Sequence, residues 1–167
     1  TETSIKFIKN LNKDINFPIV RIDADEIREL CPNYNGQDAH LFQEASVLGV
    51  NKLYDYINKK KFNALVDGTF SNEKYAITNI ETAIKKGREV YIIYIFQDPQ
   101  RAWGFTLKRE KMQNRKITIE VFINSFIKAK DNVNKIKSIF KDRVNLSLIK
   151  KDYYNNDEEF WLNIDNI

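Results

Sequence analysis

Apolar positions along this chain follow two alternating periods. In Thr1–Leu11, Ile5, Ile8 and Leu11 recur at helical spacing with Phe7 beside them, which predicts a helix. Pro18–Asp23 reads as a strand that ends on acidic residues. A short helix is expected over Asp25–Leu30, stopped before Pro32, and a longer one over Asp38–Lys60. Phe62–Asp67 is a second strand, closed by Gly68. Asn72–Lys86 is a helix ended by Gly87. Glu89–Phe96, EVYIIYIF, is the most apolar strand, and Asp98-Pro99 ends it. Helices over Gln100–Met112 and Thr118–Phe140, then a last strand over Val144–Ile149 and a polar tail, complete the pattern.

Strands alternating with helices of ten or more residues indicate βαβ units and a parallel sheet, hence an α/β fold with helices on both faces. The continuous run EVYIIYIF fits a strand covered on both sides. With no internal repeat, low-complexity stretch or linker, one domain over 1–167 is expected. In open parallel sheets, ligands bind beyond the carboxyl ends of the strands. The residues at those ends therefore matter most.

Composition narrows the classes. The chain has 167 residues, 43% hydrophobic and 30% charged, ordinary values for a globular domain with a proper core. Cys31 is the only cysteine, so no disulfide forms within the chain, in keeping with a reducing compartment. No apolar run approaches the roughly 18 residues of a membrane span. Thr1-Glu2-Thr3-Ser4 has no signal-peptide features, so a cytoplasmic location is expected. A net charge of +4 and pI of about 9.0 allow an anionic partner without requiring nucleic acid. The charge is uneven: Lys108, Arg109, Lys111, Arg115 and Lys116 cluster against Glu110 alone, and the tail is acidic.

The first strand ends in Asp23-Ala24-Asp25, the second in Asp67-Gly68-Thr69 and the third in Gln97-Asp98-Pro99. Taken singly, each acidic residue also suits a helix cap. Three strands ending this way gather carboxylates at one sheet edge, which costs energy unless cations, hydrogen bonds or a metal offset it. Such an edge suits phosphoryl transfer, which uses a carboxylate near the attacking hydroxyl and cations on the phosphoryl group. Arg109 and Arg115 fit the cationic role better than the lysines, because a guanidinium can bridge two phosphate oxygens.

The order IVRIDADEIRELCP, LVDGTFS, YIFQDPQRAWGFTLKRE and then Asn114-Arg115 resembles the zeta toxin family of P-loop kinases. The resemblance runs from about Asp23 to Arg115 and more weakly to Phe140. It implies that Asp25 is the catalytic base acting on a sugar hydroxyl, and that Asp23 is the acidic residue two positions before it. Asp67 would stand in a Walker-B-like place near Mg²⁺, with Asp67-Gly68-Thr69 as the acidic-Gly-Thr motif. Arg109 and Arg115 would grip nucleotide phosphates and stabilise charge in the transition state. Asp23, Asn51 and Thr69 would face the acceptor; Asn51 falls near the position of the family's acidic substrate residue, with Glu44 about two turns earlier. The signature G-x-x-x-x-G-K-[ST] does not occur in these residues. The resemblance implies that the first strand and the P-loop lie ahead of Thr1, which would then be the motif's hydroxyl residue, a nucleotide contact and Mg²⁺ ligand.

The implied activity is transfer of phosphate from ATP or GTP to a small-molecule hydroxyl, with a nucleotide-activated amino sugar such as UDP-N-acetylglucosamine as acceptor and an antitoxin protein as partner. Another P-loop kinase, for nucleosides, polynucleotide ends or an antibiotic, and a non-catalytic nucleotide- or nucleic-acid-binding module are the alternatives. His40 and Cys31 match no nucleophile pairing and cannot make a structural zinc site. Trp103 and Phe105 read as core residues, although aromatics among basic residues can also stack bases. Phe160 and Trp161 are expected to dock the tail.

Overall fold

The computed structural model describes residues 5, 19–36, 39–113, 117–152 and 157–167. The helix expected over Thr1–Leu11 lies outside them, apart from Ile5. The chain divides into two compact units, Thr1–Gly68 and Thr69–Ile167.

In the first unit, strand β1 (Ile19–Asp23) runs parallel to β2 (Asn63–Asp67), and Asp23 pairs with Asp67 at their carboxyl ends. Helix α1 (Ala24–Glu29) follows β1 directly, and α2 (Gln43–Lys60) packs against both. Ile22, Val50 and Ile57 form the buried apolar positions. Helix α2 begins five residues later than the apolar spacing predicts. Phe42 stands at its N-cap and supplies no side-chain acceptor, and 39–42 are turn. Gly49 sits where α1 crosses α2: a Cβ there would come 2.6 Å from Cγ2 of Ile27. The glycine is what allows the two helices to lie this close.

In the second unit, α3 (Glu73–Lys85) precedes β3 (Tyr91–Gln97), then come α4 (Pro99–Gln113) and α5 (Ile119–Phe140). Strand β4 (Asn145–Asp152) runs parallel to β3, and β5 (Asp157–Trp161) runs antiparallel to β4. The core joins Ala76 and Ile80 of α3, Ile92, Val133, Ile136, Phe140, Val144 and Leu146. Burying each large aliphatic side chain contributes about 1.5–3 kcal/mol. Lys137 closes α5 from inside, its Nζ donating to the carbonyls of Lys141 and Val144 at 3.2 and 3.1 Å. The fold is thus mixed α/β, with parallel strands flanked by helices.

Two details depart from the sequence pattern. Strand β3 alternates instead of being buried throughout: Ile92 is buried, while Tyr91, Ile93 and Ile95 are exposed. The polar tail contains β5. It is held by cross-strand pairs of opposite charge, Lys150–Glu159 and Lys151–Glu158, both at 3.1 Å. Phe160 is largely exposed. The tail is instead anchored by Ile164 and Ile167 on the core and by Asn134, which exchanges two hydrogen bonds with the Ile167 backbone.

Candidate active site

The carboxyl ends of β1 and β2 bring Asp23 and Asp67 side by side in register. Period-2 alternation puts Arg21 on the same face as Asp23, and its guanidinium sits between the two carboxylates. It donates to Asp67 Oδ2 from Nε at 3.1 Å and from NH2 at 2.5 Å, and from NH2 to Asp23 Oδ2 at 2.5 Å. NH1 also donates to Glu26. These groups are mostly shielded, with side-chain exposures of 11% for Arg21, 17% for Asp23 and 15% for Asp67. Burial pulls the Arg21 pKa down. The bond to Asp67 and the charges of Asp23, Asp67 and Glu26 outweigh it, and the net shift is upward. The second oxygen of Asp23 accepts the Asp25 backbone N–H at 2.8 Å and caps α1. Asp23 is therefore both cap and ion-pair partner.

Asp25 lies in the first turn of α1. Its Oδ1 accepts from NH1 of Arg28 at 3.0 Å, one turn along the helix. Arg28 is only 4% exposed, and its NH2 donates to Oε1 of Gln43, the first residue of α2, at 2.9 Å. The carboxylate of Asp25 thus rests on a buried guanidinium that is itself tied to the neighbouring helix.

The second unit opens with the turn that follows Gly68. The Thr69 hydroxyl bonds the Ser71 hydroxyl at 2.8 Å, exposed to solvent. Phe70 adopts φ +58°, left-handed for a bulky residue. Its carbonyl accepts from the buried Asn132 amide at 2.9 Å, which holds the turn. Asp98 caps α4, accepting the Arg101 N–H at 3.0 Å, and Pro99 takes the first helical position. Trp103 packs on Phe122 of α5 at 5.2 Å between ring centroids. Phe105 instead faces outward, with Lys108 Nζ 5.6 Å from its ring centre. Arg101, Gly104, Phe105 and Lys108, at helical spacing, line an open hollow of about 320 Å³. Arg109 is exposed on the same helix.

A family model described as zeta toxin matches residues 1–163. The chain belongs to the zeta toxin family. Among solved structures it is similar to one from the PezAT chromosomal toxin–antitoxin system of Streptococcus pneumoniae, with a TM-score of 0.69 and 19% identity. The match covers 94% of this chain and 65% of that one, so the chain spans less than two thirds of the neighbour's length. At that identity the likeness speaks for the fold. No curated protein matches the sequence.

Within this zeta toxin chain the structure gathers Asp23, Asp25 and Asp67 at one strand edge. Asn51 and Glu44 lie exposed on α2. Thr1 and Arg115 fall outside the described residues. Asp67 is the described residue expected near Mg²⁺. Asp67 already accepts two hydrogen bonds from Arg21, and no group of three or more His, Cys, Asp or Glu among the described residues is placed to hold a metal. No helix among them is long and apolar enough to cross a membrane. Sequence reasoning gave no role to Arg21, which pairs with Asp23 and Asp67, or to Arg28, which pairs with Asp25. A charged residue in the middle of the apolar strand IVRID was the available signal for Arg21. Arg28 looks like an ordinary polar helix position until α2 covers it.

Proposed function

We propose that this zeta toxin family member is a kinase that transfers the terminal phosphoryl group of ATP or GTP to a hydroxyl of a small molecule. The expected acceptor is a nucleotide-activated amino sugar, with UDP-N-acetylglucosamine as the first compound to try. The observation that carries this reading is the position of Asp25. It follows the carboxyl end of a parallel strand, where such sheets bind ligands, and a buried guanidinium holds it at one oxygen. A carboxylate fixed there suits the task of accepting a proton from an attacking hydroxyl.

The other roles follow from family membership. Arg109 and Arg115 would engage the phosphates and stabilise charge on the transferring group. Thr69 and Asn51 would contact the acceptor. Asp23 would shape the site indirectly, as cap of α1 and partner of Arg21. Mg²⁺ would arrive with the nucleotide as its complex, with Thr1 and Asp67 as the protein groups to examine. A protein antitoxin is a reasonable partner, because the similar solved structure comes from a toxin–antitoxin system.

The test is phosphoryl transfer from radiolabelled ATP or GTP to UDP-N-acetylglucosamine by the natural full-length protein, with Asp25→Asn beside it. The expected loss in kcat is about 10²–10⁴-fold, the usual worth of a general base. Turnover by Asp25→Asn at the unaltered rate would remove Asp25 from that role.

A further inference from the structure

Arg28 is an unusual residue to find buried. At 4% exposure its guanidinium has left water. One amino group meets Asp25 Oδ1 at 3.0 Å and the other meets Gln43 Oε1 at 2.9 Å. Its Nε has no hydrogen-bond partner among the described residues. A buried donor without an acceptor costs stability. A buried ion pair can often be replaced by apolar residues of similar volume with little loss. Stability alone is therefore a poor reason for this arrangement.

The geometry offers a better one. Asp25 is 31% exposed at its side chain and sits in the first turn of a six-residue helix. Arg28 comes from the same helix one turn on, so its reach to Asp25 is short. Gln43 fixes the far side of the guanidinium from α2. Gly49, with no Cβ to meet Ile27, lets the two helices lie close. Each part restrains the next, and the last part restrained is the Asp25 carboxylate.

We propose that Arg28, braced by Gln43, is a positioning residue that locks Asp25 in one rotamer for proton acceptance. This rests on the reading of Asp25 as the base. Arg28 acts through Asp25 and needs no contact with substrate.

The experiment compares Arg28→Gln, Asp25→Asn and the double variant in the full-length protein, with ATP as donor and UDP-N-acetylglucosamine as acceptor. Arg28→Gln should lower kcat by about 10- to 100-fold, the scale of a misplaced reacting group, with KM nearly unchanged. In the Asp25→Asn background the same substitution should cost almost nothing further, because the residue it positions no longer acts. A merely structural arginine would add its loss in both backgrounds, and that result would overturn the proposal. Full activity in Arg28→Gln with a large loss in Asp25→Asn overturns positioning and keeps the base. Full activity in Asp25→Asn overturns the base itself.

A second readout is independent of turnover. Three-bond couplings from the Asp25 backbone to its Cγ report the χ1 population. One rotamer is expected in the natural sequence and averaging in Arg28→Gln and Gln43→Leu. A single unchanged rotamer in both variants overturns the proposal whatever the activity. If Arg28→Gln does not fold, Gln43→Leu, which leaves both charges in place, decides it.

Discussion

Arg21 holds two carboxylates together, and its removal should show how much they repel. In Arg21→Met the alkyl stem is largely kept and the charge is lost. Asp23 and Asp67 are then neighbours on adjacent strands in register, about 5 Å apart at the backbone. Two unit charges at that distance repel by about 3 kcal/mol at the effective dielectric of roughly 20 that suits such sites. Removing one partner of a buried pair costs a similar amount, about 3–5 kcal/mol. The expected loss is therefore about 3 kcal/mol, or roughly 6–12 °C in melting temperature for a chain of this size. Urea unfolding followed by circular dichroism measures it, with the slope checked so that the midpoint can be read as stability. Adding Asp67→Asn to Arg21→Met should recover at least about half of the loss, because it removes the repulsion and keeps the volume. The Arg21 pKa is raised in the folded protein, so its stabilising charge is complete below the ordinary arginine value and fades only as pH climbs past it. The deficit should thus stay level between about pH 6 and 10. A loss below about 1 kcal/mol, or no recovery with Asp67→Asn, would refute the view that Arg21 is the cation that makes this edge tolerable.

Gly49→Ala forces a methyl against Ile27 Cγ2 at 2.6 Å and should destabilise by about 1–2 kcal/mol, the typical cost of overpacking less the helical gain of alanine. In an Ile27→Ala background the same change should become neutral or stabilising in urea unfolding. Burial raises the Tyr94 pKa, so its contribution is complete below the ordinary tyrosine value of about 10 and is lost as pH rises through the folded value. Thermal melts at about pH 9 to 11.5 should show a smaller alkaline loss in Tyr94→Phe than in the natural sequence; equal losses would mean that Tyr94 does not govern that limb.

The elements were legible because their signals are local. Helical spacing in Thr118–Phe140 and the apolar run ending at Asp98 need only a dozen residues to be read, and the structure returns them as α5 and β3 with small shifts. Asp23, Asp25 and Asp67 were legible for the same reason, since a strand end fixes where a carboxylate stands. Strand β5 was hidden because Asp157–Trp161 is mostly charged. Its cue lay in another strand, where Lys150 and Lys151 oppose Glu159 and Glu158. Arg28 was hidden more deeply. Nothing in EIREL marks it as buried, because its burial depends on how near α2 approaches, and that depends on a glycine 21 positions later. A carboxylate at a strand end is a property of one segment, whereas a guanidinium that aims it is a property of two segments meeting. The place of these carboxylates could be read along the chain; the guanidinium that meets Asp25 is buried only where Gly49 lets the helices lie close.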